Sequence, residues 1–188
     1  MLINPKVAVL GSAREPEDSE VSRMAFELGR EIAKIRGVVL SGGCPGLPHR
    51  ASLGARSAGG LTVAVSPAID RKEHVEKYCY PYDSDVTMFT GMGNKGRNVV
   101  LVRSADIALF IGGGIGTLNE FTIAFDEFTD EKVIGILSGS GGMSDQLSEI
   151  ALWSGRTPAA PFLIESDPAI LVLKVSRKFA ERISPNLK

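Results

Sequence analysis

Ile107-Ala108-Leu109-Phe110-Ile111-Gly112-Gly113-Gly114-Ile115-Gly116-Thr117-Leu118-Asn119-Glu120 sets five consecutive apolar residues against a glycine-rich turn, and the turn opens into an amphipathic stretch. The apolar run is too short for a core helix and reads as a strand buried on both faces. The stretch after it predicts a helix from about Thr117 to Glu127. A strand feeding a helix through glycines is the βα unit of a parallel sheet. Glycine permits positive φ and close backbone approach, and a helix start offers free N–H groups at the positive end of its dipole. Four glycines in the five residues Gly112 to Gly116 exceed what a tight turn needs. The expectation is a phosphate cradle contacted by Gly113, Gly114, Ile115, Gly116 and Thr117.

The same alternation extends in both directions. Val7 to Leu10 is a first buried strand, and Asp18 or Ser19 caps a helix whose apolar face is Val21, Met24, Ala25, Leu28, Ile32 and Ile35. Val38 to Leu40, Leu61 to Val65 and Val86 to Phe89 are further strands, with a small-residue helix to about Ala58 between the first two. Asp70 to Tyr82 shows no clear period and is a loop or short helix. Gly96 to Arg103 is helical and leads into the strand at Ile107. Val133 to Leu137 and Phe162 to Ile164 are strands, each followed by a helix (Ser144 to Trp153, about Pro168 to Arg182). The fold expected is α/β: one Rossmann-like domain over residues 1–188, a doubly wound, mostly parallel sheet of about seven strands with helices on both faces.

Such sheets bind ligands outside the carboxyl ends of their strands, and three strand ends here carry marked sequences. The first is Gly11-Ser12-Ala13-Arg14, the second Ser41-Gly42-Gly43-Cys44-Pro45-Gly46, the third the cradle itself. Gly11, Ser12 and Arg14 are therefore candidate ligand contacts; Gly42, Gly43 and Gly46 either form one wall of the pocket as further contacts or only make a sharp turn that lets the next helix pack close. No Lys-Ser/Thr follows the glycines, so this is no Walker loop, and the first strand lacks GxGxxG, which disfavours a dinucleotide. Arg97 and Asn98 follow a glycine-rich approach loop and are placed to reach into the same site. Glu120 has two readings of equal weight. Thr117-Leu118-Asn119-Glu120 fits a capping box, in which Glu120 bonds back to the helix start; alternatively its carboxylate faces the ligand. Cys44 reads as a small buried residue. His49 and His74 stand alone, so no metal site is expected.

Hydrophobic residues make up 44% and charged residues 23%, with formal net charge −1, all near globular averages. Without a basic block, and with 6% aromatics, neither a nucleic-acid surface nor a base-stacking platform for single strands is expected. Cys44 and Cys79 form no disulfide framework. The amino-terminal residues lack a signal-peptide layout, and no apolar run approaches bilayer length. A soluble cytoplasmic protein without membrane contact is the expectation.

Taken together, these residues are similar to the Lonely Guy family, once labelled "lysine decarboxylase-like". Its hallmark PGGxGTxxE corresponds to Gly112–Glu120, and Arg97 stands fifteen residues before the first position of the motif. Asp106 falls where the family has Asp before the strand. The resemblance covers about residues 5 to 165. It implies a homodimer that binds a nucleoside 5′-monophosphate and hydrolyses its N-glycosidic bond, releasing free base and ribose 5-phosphate, with Arg97 and Glu120 as the catalytic pair. It implies no pyridoxal phosphate and no required cofactor, and not an amino-acid decarboxylase. Two positions depart: Gly112 replaces proline, and His49 stands where the family's GGGPGIMEAA carries an active-site glutamate. The stretch Gly91-Met92-Gly93 to Arg97-Asn98 and the sequence Gly112–Glu120 look more like a sister branch that includes molybdenum-cofactor carrier proteins. That branch implies a carrier or sensor for a phosphorylated nucleotide or pterin, with no established turnover. Two functions are thus set against each other, ligand binding and phosphoribohydrolysis.

Overall fold

In the computed structural model of the chain, residues 4–183 are described. Seven strands form one wholly parallel sheet: β1 (Lys6–Gly11), β2 (Val38–Ser41), β3 (Leu61–Ser66), β4 (Val86–Phe89), β5 (Ile107–Ile111), β6 (Val133–Leu137) and β7 (Phe162–Glu165). Their spatial order is β4-β3-β2-β1-β5-β6-β7, so the chain winds outward one way from β1 and then the other way from β5. The helices are α1 (Glu20–Lys34), α2 (Leu47–Ser57), α3 (Gly93–Ser104), α4 (Ile115–Glu127), α5 (Leu147–Trp153) and α6 (Pro168–Ile183). This is the doubly wound Rossmann-like architecture expected from the alternation of short apolar runs with amphipathic stretches.

Strand periodicity divides the core into two layers. Val7 and Val9 of β1 and Ile107, Leu109 and Ile111 of β5 pack with α1, α2 and α6 on one face. Ala8, Leu10, Ala108 and Phe110 point the other way, onto α3, α4 and α5. Both faces are dry, which is why these strands read as unbroken apolar runs. Ser19 caps α1, its hydroxyl accepting from Ser22 N at 3.0 Å. The small residues of α2 serve a close helix crossing: a Cβ on Gly29 would overlap Ala51 O, and one on Gly54 would overlap Phe26 O.

Asp106 ties the start of β5 to the start of β1. Its carboxylate accepts from Lys6 N at 2.8 Å and Lys6 Nζ at 2.9 Å, and its own N–H donates to Lys6 O at 2.8 Å. It therefore serves the sheet and not the ligand end.

Three boundaries differ from expectation. Helix α3 begins at Gly93, three residues early, and the stretch from Ser144 divides into a 3₁₀ turn (Ser144–Gln146) and α5. Helix α4 begins at Ile115 with Gly114 as its N-cap and no side-chain cap. Thr117 thus lies inside the first turn, and Glu120 is too far along the helix to close a capping box. The aperiodic 70–82 segment holds a single π-helical turn, Glu73–Lys77. Among the described residues, no helix is long and apolar enough to cross a membrane.

Candidate functional site

The βα loops after β1, β2 and β5 meet at the carboxyl ends of the central strands, where strand order reverses. They enclose a cavity of about 850 Å³. Gly11, Ser12 and Arg14 reach it from β1, and Gly113, Gly114, Ile115, Gly116, Thr117 and Glu120 from β5 and α4. Arg97 and Asn98 enter from α3. The positions singled out across 110 residues of sequence are thus largely brought to one place.

The loop after β2 behaves differently. Cys44 and Pro45 line the cavity, while Gly42, Gly43 and Gly46 support it from behind. A Cβ on Gly42 would overlap the Arg97 guanidinium, so this glycine is the seat of that side chain. Gly43, at φ +67°, backs onto the His74 ring, and Gly46, at φ +74°, packs on the backbone of Ser12 and Ala13. Leu47 N then donates to Ser12 O at 2.8 Å, locking the two loops together. Cys44 is buried, and burial lifts its thiol to about 11, which leaves it protonated and unreactive.

Gly112 and Gly113 take φ of +56° and +87°, turning the backbone sharply from β5 into α4. The first helical bond runs from Leu118 N to Gly114 O, so the N–H groups of Ile115, Gly116 and Thr117 have no partner within the helix. Behind this loop lies a brace that the sequence reading missed, the segment after β6. Ser140 Oγ accepts from Gly112 N at 2.9 Å and donates to Leu137 O at 2.6 Å. Ser144 Oγ donates to Gly112 O at 2.8 Å, and Met143 N to Gly113 O at 3.0 Å. Gly142 must lack a side chain because a Cβ would overlap Gly113 O. Gly139-Ser140-Gly141-Gly142 is a third glycine cluster at a strand end, and that was the available signal.

Charge in the cavity is lopsided. Arg97 is 5% exposed, and its Nε has no hydrogen-bond partner. Arg14 and Lys95 stand at the exposed mouth. Among the described residues none of these three cations forms an ion pair. Against them stands one carboxyl, that of Glu120, 8% exposed. Burial pushes it up to about 7, with Arg97 and then Lys95 pulling the other way. The Asn98 amide lies 3.0 Å from Asn94 O and 3.2 Å from Glu120 Oε1; with its nitrogen toward them it donates to both.

Neither histidine is as solitary as its spacing suggested. His49 Nε2 lies 3.0 Å from Asp83 Oδ2. His74 is wholly buried, with Nδ1 2.7 Å from Ser66 Oγ and Nε2 2.9 Å from Pro81 O. Among the described residues no group of three or more His, Cys, Asp or Glu is placed to hold a metal. Tyr78, Tyr80, Asn94 and Lys95 complete the lining. The two tyrosines come from the aperiodic segment, where no local pattern marked them.

A sequence model of the SLOG cluster4 family matches residues 4–160. The chain belongs to the SLOG cluster4 family. The match runs from the start of β1 to the residues before β7, so every loop that lines the cavity falls inside it. An uncharacterized protein of Archaeoglobus fulgidus is 38% identical over 110 residues, 58% of this chain and 68% of that one. The crystal structure of TM1055 superposes with a TM-score of 0.77 at 28% identity, covering 93% of this chain and 99% of TM1055. The molybdenum cofactor carrier protein of Chlamydomonas reinhardtii superposes with a TM-score of 0.69 at 25% identity, covering 95% and 99% of the two chains. The SLOG cluster4 chain thus shares its Lonely Guy-like Rossmann fold with molybdenum-cofactor carriers.

Proposed function

We propose that this protein binds a phosphorylated, nucleotide-like small molecule, a nucleoside monophosphate or a pterin-type cofactor, in the cavity between β1 and β5. The observation that carries this is the buried Arg97: a desolvated guanidinium with an unpartnered Nε, facing a cavity and lacking an ion pair. A buried cation of that kind is costly unless a counter-charge arrives. The free N–H groups of Ile115, Gly116 and Thr117 beside it supply a cradle for phosphate oxygens, and Arg14 and Lys95 guard the entrance. The likeness to a molybdenum cofactor carrier supports a pterin-type ligand held as cargo.

Phosphoribohydrolysis is the second reading, favoured by one specific observation. Glu120, at about 7, keeps a proton on much of the population at neutral pH. It could give that proton to a leaving base while water oxygen bonds to the ribose C1′ and the C1′–N bond breaks, the water's proton returning to the Glu120 carboxylate, yielding free base and ribose 5-phosphate.

Purified protein given a panel of nucleoside 5′-monophosphates separates the two. Thermal stabilisation without release of ribose 5-phosphate supports the binding protein. Release that vanishes in Glu120→Gln while binding persists would establish the hydrolase. No stabilisation by any monophosphate or pterin phosphate would end both.

A further inference from the structure

The segment from residue 67 to 85 is not a passive connection between β3 and β4. Glu73 Oε2 accepts from Ile69 N at 2.7 Å, and Asp70 Oδ1 accepts from Glu73 N at 2.8 Å, closing the segment on itself. Its anchor is His74. With the ring proton on Nε2, that nitrogen donates to Pro81 O, Ser66 hydroxyl donates to Nδ1, and Ser66 Oγ accepts from Ala68 N at 3.1 Å. Every polar atom of this buried group is satisfied by that one tautomer. The ring packs edge-on to Tyr80, Tyr82 and Phe89, at centroid distances of 5.6, 5.9 and 6.1 Å. Tyr80 N also donates to His74 O at 3.1 Å.

The outcome is that Tyr78 and Tyr80, half-buried and 5.5 Å apart, are held in place as the aromatic part of the cavity lining. Tyr80 hydroxyl faces Asn94 Oδ1 at 3.4 Å, on the rim that also bears Lys95 and Arg97. A cavity of about 850 Å³ lies toward the upper end of small-molecule sites and is far larger than a phosphate or a sugar phosphate requires. Its second lining, distinct from the cationic cradle, is two braced rings.

We infer that Tyr78 and Tyr80 form the face against which a planar heterocycle of the ligand packs, so that the site selects phosphorylated heterocycles over sugar phosphates. This rests on the anion-binding reading of the cradle. Aromatic rings gain contact with any flat base or pterin, offset-stacked or edge-on, and gain little with a ribose or a free phosphate. Because His74 packs against the Tyr80 ring and Tyr78 packs on Tyr80, little ordering is left to occur when the ligand arrives.

The test is calorimetric titration of the whole protein with GMP, a pterin monophosphate, ribose 5-phosphate and inorganic phosphate, with the near-UV band of each heterocycle followed in parallel. Wild type is expected to bind the heterocyclic phosphates at least tenfold more tightly than ribose 5-phosphate, with hypochromism of the band. Tyr78→Ala/Tyr80→Ala should lower affinity for the heterocyclic phosphates by at least about fivefold, abolish the hypochromism and leave ribose 5-phosphate affinity within twofold. Tyr78→Phe/Tyr80→Phe should restore both. Preference and hypochromism that persist in the alanine variant would overturn the aromatic face while leaving the cradle standing. Absence of binding by any of the four ligands to wild type would instead overturn the cradle, and the inference with it.

Discussion

Arg97 and Glu120 share a dry cavity wall, and their energetics run in opposite directions. For Arg97, function and stability are opposed: the charge suits an anionic ligand but is buried with its Nε unpartnered and without an ion pair among the described residues. Arg97→Met is expected to weaken binding of a phosphorylated ligand by tenfold or more, since a charged hydrogen bond contributes about 1.5–3 kcal/mol. Urea unfolding of the free variant should show no loss of stability, because an isolated buried charge is removed. Gly42→Ala should weaken binding likewise, by driving the guanidinium off its seat. For Glu120 the sign follows from the upward displacement from 4.5 to about 7. The folded protein holds this proton more tightly than the unfolded chain does. Its contribution to stability is full below about 4.5 and is lost as pH rises through 7, on the order of 3 kcal/mol in all. Glu120→Gln, which cannot ionise, should gain stability relative to wild type between pH 5 and pH 8 in urea melts. Anion affinity should fall more steeply with rising pH in wild type than in the variant.

At the scale of elements, the cradle depends on a loop that touches no ligand. Ser140→Ala leaves Gly112 N without its acceptor, a cost of about 1–3 kcal/mol for a buried unsatisfied donor, to be read by denaturant unfolding. Because the loosened part is backbone common to every phosphate contact, affinity for GMP and for ribose 5-phosphate should drop by the same factor. That dependence was only half legible. Glycine clusters at strand ends pointed to the cradle and to the loop after β2, since few other pressures concentrate glycine there. Arg97 and Glu120 emerged because they stand at fixed spacing from those glycines. Tyr78 and Tyr80 could not emerge that way, since Tyr80 packs on a His74 that reaches Ser66 and Pro81, and Tyr78 packs on Tyr80, contacts without period. The start of α4 was placed two residues late because Thr117 looked like a cap; Gly114 fills that position with no side chain at all. Gly42, Gly43 and Gly46 were legible as site glycines, but their roles as a seat for Arg97, a backing for His74 and a clasp on Ser12 needed the third dimension.

For the molecule as a whole, the cavity lies on the seam where β1 and β5 pair and strand order reverses. A ligand there joins loops from both windings of the chain, so its binding energy opposes global unfolding. At one hundred times the dissociation constant, linkage gives about 2.7 kcal/mol, or roughly 5–10 °C in melting temperature for a chain of this size. Differential scanning calorimetry with a bound monophosphate should show that rise, and Arg97→Met at the same ligand concentration should show less of it. The sheet itself was almost wholly legible, because strands buried on both faces must be apolar runs and parallel neighbours must be separated by crossovers. The clip between Lys6 and Asp106 bears on how such a chain comes into being. Its partners stand 100 residues apart. During synthesis β1 leaves the ribosome first, yet more than half the polypeptide must follow before β5 can dock beside it. Until then one edge of the central strand of the sheet lies bare, and a nascent chain paused before residue 107 offers that edge to a chaperone or to another nascent chain.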